Sequence, residues 1–138
     1  MRTTSQSQRS HAGIEIHVRR FAPDGPVRAT LQIVHGMGEH SARYARFAER
    51  LCEAGFEVIA ADTRGHGRSL ADSAPLGHLA DHDGWSKAVD DVADLAARIA
   101  GDHPEVPHAI LGHSMGSLLV LDLLTQARTH FAAAILSG

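Results

Sequence analysis

The sequence predicts an α/β fold: a mostly parallel sheet covered by helices on both faces. Three observations predict it. Short apolar runs that read as strands alternate along the chain with stretches of helical period. Three Gly- and His-rich loops, at residues 35–40, 62–69 and 112–116, each follow one of those runs. They therefore gather at the carboxyl edge of the sheet, where sites form in such folds. The third loop carries Gly112-His113-Ser114-Met115-Gly116, in the spacing Gly-x-Ser-x-Gly, between a strand and a helix.

Taken in order, residues 1–10 are largely Ser, Thr, Gln and Arg and bury nothing apolar. Residues 1–12 are expected to be a disordered tail. From residue 13 to 21, Ile14, Ile16 and Val18 alternate with Glu15, His17 and Arg19, which is a strand with one wet face. Pro23-Asp24-Gly25-Pro26 is a turn. Residues 29–34 read as a more buried strand. Ser41 is placed to cap a helix on which Tyr44, Phe47, Ala48, Leu51 and Cys52 form one apolar stripe. Cys52 is thus a core residue. Residues 56–61 are a strand, and 70–79 look irregular. Asp81 or Asp83 can cap a second helix, with Trp85, Ala88, Val89, Val92, Leu95, Ala96 and Ile99 as its buried face. Gly101 and Pro104 end it. A strand begins at His108, a helix runs from the Ser114 turn to about residue 127, and residues 131–136 form a last apolar strand.

The composition excludes several classes. A chain of 138 residues, 43% hydrophobic with net charge −3, makes one small domain and carries no basic excess for nucleic acid. Eleven histidines are scattered. Only His78 and His82 share a chelating i, i+4 spacing, and no Glu follows His78 as a metalloprotease motif requires, so no metal site is expected. No cofactor is expected either. A single cysteine allows no internal disulfide and fits a reducing compartment. The amino terminus shows no apolar signal-peptide core, and no apolar run approaches the ~20 residues needed to span a bilayer. A cytoplasmic protein with no membrane span is expected.

The chemistry lies at Ser114. A serine at so tight a turn takes strained backbone angles, and Gly112 and Gly116 remove the Cβ atoms that would collide. Its hydroxyl is held clear of the sheet. The N–H of Met115 opens a helix, where donors are unpaired and the dipole favours negative charge, which is one half of an oxyanion hole.

These motifs resemble an α/β-hydrolase, more narrowly the monoacylglycerol lipase, lysophospholipase and serine aminopeptidase-like branch. The matching pieces are His35-Gly36-Met37-Gly38-Glu39-His40-Ser41-x-Arg43-Tyr44, then Asp62-x-Arg64-Gly65-His66-Gly67-x-Ser69, then the Ser114 turn, then Leu136-Ser137-Gly138. The resemblance implies an α/β-hydrolase fold with Ser114 as nucleophile, attacking an ester carbonyl to give an acyl-enzyme. It implies that the N–H groups of Met37 and Met115 hold the oxyanion. Gly36 and Gly38 let the loop approach; His35, Glu39, His40, Arg64 and His66 brace the loops or face substrate. The substrate it implies is a small acyl ester of the monoacylglycerol or lysophospholipid kind. Serine at the elbow argues against the dehalogenase and epoxide hydrolase branches, whose elbow carries Asp. The loops lack the Gly-x-Gly-x-x-Gly and Gly-Lys-Ser/Thr patterns of nucleotide-binding α/β domains.

A serine also needs a base and an orienting acid, which follow it in this fold. After Ser114 the only acid is Asp122 and the only histidine is His130. Asp122 lies eight residues along the helix, about 12 Å away at ~1.5 Å per residue. His130 precedes its strand, at the opposite end of the sheet. His35, His40, His66 and His113 are the substitutes at the correct edge. Residues 13–138 thus read as the amino-terminal half of a hydrolase domain, cut after the strand that follows the elbow helix. The alternative is a truncated, catalytically silent chain or a binding partner. The last strand is expected to be an unprotected edge, covered by a second chain or by self-association.

Overall fold

The computed structural model describes residues 1–10 and 13–138. Six strands form one sheet: β1 (Arg2–Arg9), β2 (Glu15–Ala22), β3 (Ala29–Val34), β4 (Phe56–Ala61), β5 (His108–His113) and β6 (Ala133–Ser137). Three helices connect them: α1 (Ala45–Glu53), α2 (Gly84–Asp102) and α3 (Met115–Thr125). The strand order is β1-β2-β4-β3-β5-β6. β1 and β2 are antiparallel to their neighbours, and β3, β4, β5 and β6 are parallel.

The period-two alternation of the strands divides the core. Leu31 and Ile33 of β3 and Val58 and Ala60 of β4 pack with Ala48 and Cys52 of α1 on one face. Ile59 joins Leu95 and Ile99 of α2 on the other, and Val34 and Ile110 meet Val92 of α2 and Leu119, Val120 and Leu123 of α3. Both faces are covered, as a sheet of near-continuous apolar strands requires. The chain crosses from β3 to β4 on one side and reaches β5 on the other, so a crevice opens outside the carboxyl ends of β3 and β5.

Four expectations are corrected. Residues 2–9 are not a disordered tail; they form β1, in register with β2 from Arg2↔Ala22 to Arg9↔Glu15. The ladder satisfies backbone groups of β2 that hydropathy does not reveal. Residues 11–12, the rest of that tail, lie outside the described residues. Ser41 does not cap α1 with its side chain. It opens a 3-10 turn, Ser41–Tyr44, and its N–H donates to Asp62 Oδ1 at 2.6 Å. Phe47 and Trp85 sit at the margins of their helical stripes and are 44% and 38% exposed. Trp85 Nε1 instead donates to Asp122 Oδ2 of α3 at 2.8 Å. Asp83 stands at the N-cap of α2 but makes no side-chain cap.

The last strand is exposed along its whole length, as expected of an unprotected edge. Apart from Ser117, Asp122 and Thr125, α3 carries apolar residues round its circumference, a pattern that belongs to a helix packed on most sides. Yet Leu118 and Leu121 of α3 are 56% and 48% exposed, and Ile135 and Leu136 of β6 are 50% and 45% exposed.

Candidate active site

Ser114 stands between β5 and α3 with φ 52° and ψ −119°, a conformation that costs an L-residue energy and persists only where its surroundings hold it. The surroundings are tight. A Cβ on Gly116 would lie 2.1 Å from the Val34 carbonyl oxygen, and one on Gly112 would lie 2.5 Å from that of Gly116. Only glycine lets β5, the turn and β3 approach so closely. The N–H of Ser114 donates to the Ser137 carbonyl of β6 at 2.7 Å. The residue is exposed, and its hydroxyl has no hydrogen-bond partner among the described residues. The N–H of Met115 lies in the first turn of α3, where no intrahelical acceptor exists.

The loop after β3 lies against this turn: a Cβ on Gly36 would sit 3.1 Å from the Ser114 Cβ. Glu39 N–H closes a turn on the Gly36 carbonyl at 3.2 Å, with Gly38 at φ +74°. The Glu39 carboxylate accepts from Gly36 N–H at 3.0 Å, from Tyr44 Oη at 2.9 Å and from Arg43 Nε at 3.1 Å. Burial opposes its charge, but these donors together hold it below the usual carboxylate range. His113 Nε2 lies 3.9 Å from the same carboxylate.

His35 is buried. Its Nε2 accepts the Thr63 N–H at 2.9 Å, and its Nδ1 faces the Gly36 carbonyl at 2.8 Å. Burial pushes its pKa down. His66 is also buried, packed edge-on against His35 with ring centroids 5.3 Å apart, and its Nδ1 meets the Arg64 carbonyl at 3.1 Å. His40 is exposed and lines an open cavity with Met37, His66, Leu76 and Gly77. Arg64 is buried and grips Asp91 of α2 with Nε at 2.7 Å and Nη2 at 3.0 Å.

Two residues that hold these loops are given no role by the sequence. Asp91 is one; burial raises its pKa against the pull of Arg64. The other is Asp62, whose Oδ1 accepts the Ser41 N–H and whose Oδ2 accepts the Arg68 N–H at 2.8 Å. Asp62 thereby ties the loop after β3 to the loop after β4. Burial opposes its charge, but Ser41 and Arg68 keep its pKa low.

The histidines considered as bases do not meet the serine. Among the described residues no histidine nitrogen lies within hydrogen-bond distance of the Ser114 hydroxyl. Asp122 is engaged by Trp85 and by Gln126 Nε2 at 3.0 Å, and His130 is exposed ahead of β6, at the far end of the sheet. His78 pairs with Asp81 at 2.9 Å. Among the described residues no helix is long and apolar enough to cross a membrane.

The chain that carries this serine turn has relatives among known proteins. Residues 25–138 match the family described as Serine aminopeptidase, S33. The chain belongs to this family. It is 36% identical over 141 residues to the monoacylglycerol lipase of Mycolicibacterium smegmatis, covering 100% of this chain and 48% of that protein. It is 32% identical over 124 residues to the monoglyceride lipase of Rattus norvegicus, covering 90% and 39%. Among solved structures it resembles a thermostable carboxyl esterase from Bacillus coagulans in complex with glycerol. The TM-score is 0.88 at 31% identity, over 99% of this chain and 44% of that one. A soluble variant of monoglyceride lipase from Saccharomyces cerevisiae shares the fold, with a TM-score of 0.84 at 18% identity over 99% of this chain and 44% of that one. The fold is that of the α/β-hydrolases, and this family member spans about half the length or less of the relatives it matches.

Proposed function

We propose that this chain carries the nucleophile and oxyanion hole of a serine ester hydrolase acting on small acyl esters of the monoacylglycerol or lysophospholipid kind. Ser114 attacks the ester carbonyl, the N–H groups of Met37 and Met115 receive the oxyanion, and loss of the alcohol leaves an acyl-enzyme. The observation that carries this reading is the strained, exposed Ser114 with Gly36 of the neighbouring loop against its Cβ. Relatives named as monoacylglycerol lipases support the substrate class. His35, Gly36, Gly38, Glu39 and Arg64 serve as loop braces, while His40 faces the open cavity. The family's acid and base come from polypeptide beyond these 138 residues, packed on the exposed face of α3 and β6. Residues 13–138, with β1 added, form the amino-terminal half of the domain. Cys52, buried with its Sγ on the Phe21 carbonyl at 3.3 Å, fits a reducing compartment such as the cytoplasm.

A second reading has its own observation: among the described residues no histidine reaches the serine. In that reading the chain by itself is catalytically silent. Hydrolysis of a short-chain p-nitrophenyl ester, measured beside Ser114→Ala, separates the two. Repeated turnover lost in the variant means that a base is supplied by assembly. A single equivalent released by the wild type alone means that nucleophile and oxyanion hole are present without deacylation. No release above the variant's level favours the silent chain.

A further inference from the structure

We propose that His35 is a positioning residue: its Nδ1–H fixes the plane of the Gly36–Met37 peptide and so aims the Met37 N–H. The inference rests on the reading of Met37 as an oxyanion donor. A trans peptide is planar, with its carbonyl and its N–H pointing opposite ways. Whatever holds the Gly36 carbonyl therefore sets the direction of the Met37 N–H. Two donors hold it: His35 Nδ1 at 2.8 Å and Glu39 N–H at 3.2 Å. Glu39 Oε2 holds the preceding peptide through Gly36 N–H at 3.0 Å. A restraint is needed here because Gly36 has no Cβ to resist rotation of its own peptide planes. A side chain supplied there instead would press its Cβ on Ser114 at 3.1 Å, so the serine turn would have to give way.

The proton assignment follows from the partners. Thr63 offers a backbone N–H, so Nε2 must be the acceptor at 2.9 Å, and the neutral ring carries its proton on Nδ1, facing Gly36. The ring is buried and braced edge-on by His66, and burial favours its neutral form. Each half of the ring has a separate task. Nε2 joins the loops after β3 and β4; Nδ1 orients the oxyanion donor.

That division gives a test, because Asn mimics the Nδ1 side of histidine and Gln the Nε2 side. Gly36–Met37 is the sole Gly–Met step in the chain. Labelling with 13C-carbonyl glycine and 15N methionine therefore yields one doubly labelled peptide. His35→Asn is expected to keep the Gly36 carbonyl shift, and His35→Gln to move it upfield as the carbonyl loses a donor. Equal shifts in both variants, or none in His35→Gln, overturn the proposal. Phenylboronate, whose boron takes the Ser114 Oγ while the hydroxyl proton leaves to water, reports the consequence. Its affinity should fall at least about tenfold in His35→Gln and stay near wild type in His35→Asn. If the wild type does not bind phenylboronate, Ser114 and its oxyanion site fail together as a reactive unit, while the carbonyl shifts still decide the role of His35. If the variants do not fold, neutron diffraction from wild-type crystals decides: deuterium on Nδ1 supports the proposal, and deuterium on Nε2 overturns it.

Discussion

The two edges of the sheet are built on opposite terms. β1 is polar from Arg2 to Arg9, and its ends are tied: the terminal amine pairs with Asp24 at 2.7 Å, and Arg9 with Glu15 at 3.7 Å. β6, with sequence Ala-Ala-Ile-Leu-Ser, exposes apolar side chains and lies beside an apolar helix that is half bare. A polar edge can face water and discourage further pairing; an apolar edge invites it. The difference teaches that β1 is built to face water, while β6 is built as a seam that invites cover.

Loss of an anchor deep on the finished side should have the largest effect. Arg64→Ala strands Asp91 on the buried side of α2 and is expected to cost about 3–5 kcal/mol in urea denaturation. A cost below about 1 kcal/mol would mean that this side is as loosely held as the seam. Next comes the seam itself. The wild-type chain should self-associate or bind hydrophobic dye, and Ile135→Lys should reduce both while costing under about 1 kcal/mol. A compact, dye-silent wild-type monomer of 14.7 kDa on size-exclusion chromatography would break the comparison. Ser5→Lys on β1 should leave association unchanged and stability within about 0.5 kcal/mol.

A pH titration sharpens the picture further. Burial lowers the pKa of His17, His35 and His108, the last to about 4. The unfolded chain takes up these protons near pH 6.5, and the folded chain resists. The stability they contribute is therefore present above about 6.5 and lost as pH falls toward 4. Urea midpoints across that range should decline. In His108→Gln the decline should be shallower. An unchanged slope would remove His108 from the account.

Much of the fold was legible because it rests on local pattern. The strand from Phe56 to Ala61 is bounded where its apolar run is bounded. The strained turn at Ser114 announces itself through its flanking glycines. β1 was not legible, because a ladder recruits backbone whatever the side chains are, and Thr3, Ser5 and Ser7 give hydropathy nothing to read. Trp85 followed the helical period yet lies where α2 begins, beyond the sheet's cover. The acids that hold the loops, Asp62 and Asp91, act across 21 and 27 residues of sequence. Asp91 did carry a signal: it falls between Ala88 and Leu95 on the buried stripe of α2, where a charge demands a partner. The His35 ring could be placed at the sheet edge from sequence, but its two partners depend on the folded loops.

The 2.7 Å hydrogen bond from Ser114 N–H to the Ser137 carbonyl has a mechanical consequence. The exposed edge strand is latched directly to the strained serine. Displacement at the seam reaches the serine through this bond and through the β5–β6 ladder that ends beside it.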